Sequence, residues 1–323
     1  MNRLELDGLS IVFHRTVRVA SKGANLLPAS LGQFAVEKVA DYREKCPEDY
    51  RPEDYFVAMW PGEALWMSFI AGEPKAIIVA AGRINAVTGE EMGKPDLKSP
   101  QNYVVAPPQP WLDGWKAPDN RIYQFAAASL GSGQTMEEQL TGKAEFGGLQ
   151  IAVYGSDKKL QPVWPPSEQV WAGKPSKESR FSYSSGTVSA AYTVNAAYSV
   201  NRAAVPDSAA VPHFNVSSKS VKATEMGLGR GGEIFQRIYP DPYGLEVWTK
   251  LLVKASIHII SALDYKAITG KEPHPKPEGL DEYQKDGKPW FGLHDEHLGD
   301  AAGSEKFGKM EEVKEEQPKA DTW

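Results

Sequence analysis

Short runs of β-branched and aromatic residues, each closed by Gly or Pro, recur along this chain and leave little room for long helices. "SIVFHRTVRV" alternates Ile11 and Phe13, then Val17 and Val19, against polar neighbours, with a break in phase near Arg15. "DYFVAMW" and "EALWMSFI" flank Pro61–Gly62 and predict a hairpin. "KAIIVAAGRINAVTGE", "NYVVAPP", "RIYQFAAASL" and "GLQIAVYG" continue the series. The 29 Gly and 24 Pro suit many short elements joined by turns. The pattern predicts a mainly β fold, a sandwich or barrel-like single domain with a few short helices. Two helices are marked by capping patterns. Thr135 and Glu138 precede Leu140 and Gly142, and Ser261 and Asp264 precede Gly270.

Composition changes near residue 156. From Ser156 to Thr224 the chain holds one Leu and no Ile, and Ser, Ala, Pro and Val dominate. Such a segment cannot build an ordinary core. Beyond it, "EIFQRIYPDPYG" and "LLVKASIHII" resume the β-rich style. The expectation is one β-rich domain over residues 1–300, interrupted by an insertion at 156–224 and followed by a charged, mobile tail at 301–323. The insertion carries the clearest internal repeat, "AAYTVN" followed directly by "AAYSVN" at 190–201. In an extended chain Tyr192, Val194, Tyr198 and Val200 share one face, and Asn195, Ser199 and Asn201 share the other. Such a strand either folds back on its own domain, pairs with another molecule or stays disordered.

Chemistry is hard to find. "GLGRGG" at 227–232 matches a dinucleotide fingerprint, but "EIFQRIYPDP" follows where a helix is needed, so its glycines are expected to form a turn entering a strand. His294 and His297 in "HDEH" could share a metal on a helical turn, the basis of a metal-dependent hydrolase as one alternative. No third ligand is fixed by the sequence, and a solvated loop accounts for the pair equally. His14 and His258 sit in apolar runs and read as structural. Trp111, Trp115 and Trp290 lie in Pro/Gly-rich loops, where they either plug the ends of a sandwich or stack on a carbohydrate or other ligand. Cys46 is the single cysteine, in the charged stretch "YREKCPEDYRPEDY". That setting predicts an exposed loop. Its thiol could be idle, or link two chains by an intermolecular disulfide, since no partner exists within the chain. A catalytic thiol lacks a nearby His.

A net charge of −6 and a pI near 5.6 argue against nucleic acid, and no basic run exceeds Lys158–Lys159. No stretch reaches the roughly 18 apolar residues of a membrane helix, and "MNRLELDGLS" lacks the apolar core of a standard leader. Membrane insertion and cofactors are therefore not expected.

Taken together, "EALWMSF", "KAIIVAAGRINAVTGE", "QNYVVAPPQPWLDG", "EEQLTG", "GGLQI" and "GRGGEIFQRIYPDPYG" resemble a family of poorly characterised microbial proteins. Some members carry the label of integral membrane protein, which the hydropathy here contradicts. Within that group the chain is similar to the octin-like crystal-forming vacuolar proteins of fungi. The resemblance covers residues 8–155 and 225–296, and the 156–224 insertion departs from the simpler microbial members. It implies a structural protein that assembles with itself in a vacuole as a gravity-sensing body, and it carries over no catalytic residues. Near its pI such a chain repels itself least. The leading expectation is a self-assembling protein and not an enzyme, with itself as partner. The alternatives are a carbohydrate-binding sandwich and the metal-dependent hydrolase.

Overall fold

The computed structural model describes residues 2–21, 23, 25–163, 223–291 and 299–314. Its strands in the N-terminal part are β1 (Leu4–Leu6), β2 (Leu9–Thr16), β3 (Leu27–Pro28), β4 (Glu37–Lys38), β5 (Tyr55–Met59), β6 (Ala64–Ala71), β7 (Lys75–Ala81) and β8 (Ile84–Asn85). There follow β9 (Val104–Ala106), β10 (Trp111–Leu112), β11 (Gly114–Ala117), β12 (Arg121–Ser129), helix α1 (Met136–Thr141) and β13 (Leu149–Gly155). After the insertion come β14 (Glu225–Phe235), β15 (Lys250–Ser261), α2 (Ala262–Thr269), α3 (Leu280–Lys285) and β16 (Trp290–Phe291).

The fold is mainly β. Fourteen strands form one sheet with the main path β1-β2-β6-β12-β14-β15-β13-β7-β8. The path does not close into a barrel, because β1 and β8, at its two ends, do not pair with each other. β3 and β16 form a separate pair. One face of the sheet turns on itself to make the main core. Leu4, Ile11 and Phe13 from one end meet Ile77, Val79 and Ile84 from the other, with Trp115, Phe125, Ile257 and Ile259 between. The same cluster reaches Ala301 and Phe307.

Both predicted helices form, the first with its full capping box and the second with half of the expected pattern. Thr135 and Glu138 form a reciprocal capping box on α1, and Gly142 ends the helix in the left-handed conformation. Ser261 caps α2 by accepting from the Leu263 amide, and Gly270 closes it. Asp264 does not complete a second box. It accepts instead from the Thr224 amide at 2.7 Å, pinning the chain where it returns from the insertion.

Three expectations are corrected. β5 and β6 are not a hairpin. The edges of β6 are taken by β2, β10 and β12, so β5 crosses to pair parallel with β15, Tyr55 opposite Ile257. The glycines of "GLGRGG" do not form a turn; they lie inside β14. A Cβ on Gly229 would sit 2.2 Å from the Gln134 carbonyl oxygen, and one on Gly232 2.3 Å from that of Val19, so only glycine lets these backbones approach. The tail is not mobile from Ala301. Ala301, Phe307 and Val313 are buried, the Val313 amide donates to the Arg230 carbonyl at 2.8 Å, and Arg18 pairs with Glu312 at 2.6 Å.

Candidate assembly edge and polar cleft

β15 is twelve residues long and unevenly paired. On one edge β13 runs alongside it from Lys250 to Ile257, and the start of β14 continues that edge at Ile259 and Ile260. On the other edge β5 pairs only with Ile257–Ser261. Among the described residues no strand pairs with this second edge over residues 250–256. The stretch reads Lys-Leu-Leu-Val-Lys-Ala-Ser, with Lys250, Leu251 and Lys254 exposed. Leu251 is one of the few exposed large apolar side chains, at 41%. The flanking lysines are the usual guard on such an edge. The insertion departs beside it: Gly155, the last residue of β13, lies opposite Lys250, and Asp157 pairs with Lys250 and accepts from Thr249.

The sequence-nominated residues lie elsewhere, and several are not where their neighbourhoods suggest. Cys46 is buried, at 1% exposure, against Val39, Tyr50, Phe56, Tyr265 and Ile268. Burial pushes its thiol pKa up, and Arg43 offsets part of that. The exposed-loop expectation fails, and with it Cys46 as a ready disulfide linker. Trp115 is fully buried, donates to the Gly229 carbonyl at 3.0 Å and packs edge-on to Phe125. Trp290 is buried against Tyr283. Trp111 is half-buried and meets Trp66 edge-on. These rings plug the molecule, so they do not form a sugar-stacking platform. Tyr192, Val194, Tyr198 and Val200, and likewise His294 and His297, lie outside the described residues. Among the described residues no group of three or more His, Cys, Asp or Glu side chains could hold a metal ion.

Polar groups inside the fold are mostly consumed by one another. Glu63 has no exposed side-chain surface; its two oxygens accept from Arg15 Nε and the Trp60 amide, and the second also meets His274 Nε2 at 2.9 Å. Lys116, fully buried, donates to Asp300 at 2.7 Å, and burial lowers its pKa against the pull of that carboxylate. His258 stacks on Tyr50 between Glu225 and Asp54, 3.2 and 3.4 Å away. Asp113 differs. It is buried and neither carboxyl oxygen has a hydrogen-bond partner. Burial raises its pKa well above the usual carboxylate range.

One open cleft carries reactive groups. It measures about 540 Å3 and lies over the outer face of β2 and β6, lined by Asn2, Arg3, Val12, His14, Ser68 and Ile70 among others. Strand alternation puts His14 and Ser68 on that face, because Val12 lies opposite Ser68 and His14 opposite Trp66. His14 Nε2 is 2.9 Å from Ser68 Oγ, and its Nδ1 is 3.2 Å from Ser30 Oγ. The imidazole stacks on Trp66 at 3.7 Å, and burial lowers its pKa to about 4. The expectation of a structural His14 therefore matches its packing, but its Nε2 edge faces a hydroxyl that lines the cleft.

No family model, no curated protein and no solved structure matches the chain. The resemblance thus rests on the sequence motifs alone.

Proposed function

We propose that this chain is a structural protein that associates with its own copies by strand addition, and that the open edge of β15 is the docking line. The half-paired stretch at 250–256 carries this reading. Seven residues in a strand present unpaired backbone groups on one side, and an added strand satisfies them at little cost in shape. The repeat at 190–201 is the proposed pairing strand, supplied by a second copy. It holds no charged residue, so it would bring nothing to repel Lys250 and Lys254. A pI near 5.6 favours association in a mildly acidic compartment, where net charge is small. The similarity to crystal-forming vacuolar proteins points the same way and motivates the vacuole as the proposed location.

Light scattering on the full chain, near pH 5.5 and near pH 8, tests this. Association is expected to strengthen at the lower pH. Leu251→Asp, or deletion of 190–201, is expected to weaken it at least ~tenfold. A chain that stays monomeric at high concentration, or one whose association ignores both changes, rejects the reading.

A further inference from the structure

The hydrogen bonds around His14 determine where its proton sits. Ser30 Oγ donates to the Gly32 carbonyl at 2.8 Å and accepts from the Gly32 amide at 3.1 Å. Its one proton is thus spent, and towards His14 Nδ1 it acts as an acceptor. Nδ1 therefore carries the imidazole proton, and Nε2 is a bare acceptor. Ser68 Oγ must donate to Nε2, and Ser68, though only 7% exposed, is one of the residues that line the cleft. This is the resting arrangement of a nucleophilic serine with its base, and Ser30 takes the orienting place on Nδ1 that a carboxylate often fills. The stack on Trp66 fixes the ring plane.

The geometry points to Ser68 as a nucleophile towards activated acyl and phosphonyl groups, with His14 as its base and Ser30 as a positioning residue. This inference is independent of the assembly reading. With an activated ester, Ser68 Oγ bonds to the carbonyl carbon and its proton passes to His14 Nε2. The bond to the leaving alcohol breaks, and the imidazolium returns the proton to that oxygen. Water then attacks the acyl-serine through the same base and releases the acid. Asn2 and Gln33 line the cleft and are its candidate donors to a developing oxyanion, whereas Arg3 is paired there with Glu5 at 2.6 Å. A desolvated imidazole without a carboxylate behind it is a weak base, so good leaving groups are the expected substrates and amides are not.

A fluorophosphonate probe on the full chain tests this, read by intact mass and peptide mapping. The expected result is one adduct, on Ser68, with fluoride lost. Ser68→Ala is expected to abolish it, and His14→Gln to slow it at least ~tenfold. The unaltered chain supplies a readout that needs no variant. Because burial holds the imidazole neutral down to about pH 4, labelling should stay level through mildly acidic pH and halve near pH 4. Absence of an adduct on Ser68, adducts spread over other side chains, or labelling of His14→Gln as fast as that of the unaltered chain would overturn the proposal.

Discussion

β14 and β15 are neighbours of nearly equal length, yet they solve opposite problems. β14 is pressed from all sides: β12 pairs along it, and the residues before α1, the chain near Val19 and the C-terminal segment at Val313 press on its glycines. β15 is paired on both edges over its last five residues, but along its first seven one edge is open among the described residues. The crowded strand gives up side chains so that backbones can touch. The open strand keeps leucines and valine and guards them with lysine. Burial in this molecule is thus decided by which partners arrive from far along the chain, and less by local hydrophobicity.

The comparison can be broken from the crowded side first. Gly229→Ala puts a methyl group into the Gln134 carbonyl and Val313, and is expected to cost about 3 kcal/mol or more; denaturant melts would show it. A wild-type midpoint would mean that α1 and the C-terminal segment are loosely held. A comparable loss is expected on acidification. His14 has a folded-state pKa near 4 and an unfolded value near 6.5, so the unfolded chain binds the proton first as pH falls. Its contribution is intact above pH 6.5 and declines between 6.5 and 4, by roughly 3 kcal/mol in all. Stability measured against pH in wild type and His14→Gln isolates that slope. Cys46 belongs to the same closed interior. Alkylation of the native thiol is expected to be slow and to become fast only in denaturant, and a non-reducing gel of native protein should show no disulfide-linked dimer. The open side gives the smallest effect on folding. Leu251→Asp is expected to change stability by less than about 0.5 kcal/mol while it weakens association. A large loss of stability would mean that this edge is covered within the monomer.

Much of the fold was legible locally. Strand runs, both helix ends, and the return to β-rich style after the insertion follow from alternation and capping residues alone. Pairing was not. Nothing around Pro61–Gly62 says that β6 has its edges filled by β2, β10 and β12, which is why a plausible hairpin is absent. The setting of Cys46 looks solvated because its sequence neighbours are charged, whereas Phe56, Tyr265 and Ile268 bury it from other elements. The tryptophans in Pro/Gly-rich stretches left two roles open, plug or platform, and only the partners Phe125, Tyr283 and Trp66, which arrive from other elements, decide for the plug. The His14 arrangement joins residues 16 and 54 positions apart, and no spacing rule marks it. Only the face on which a strand side chain emerges could have hinted at Ser68, and that needs the register with β2.

The two attachment points of the insertion also set a length. Gly155 lies opposite Lys250 and Glu225 opposite Ile260, so the chain leaves and returns at opposite ends of β15, roughly 33 Å apart at the usual rise per residue. A tether joining Gly155 directly to Glu225, in place of residues 156–224, therefore has a minimum of roughly ten extended residues. Anything shorter would pull β13 and β14 out of register, and a tight turn could never stand in for it.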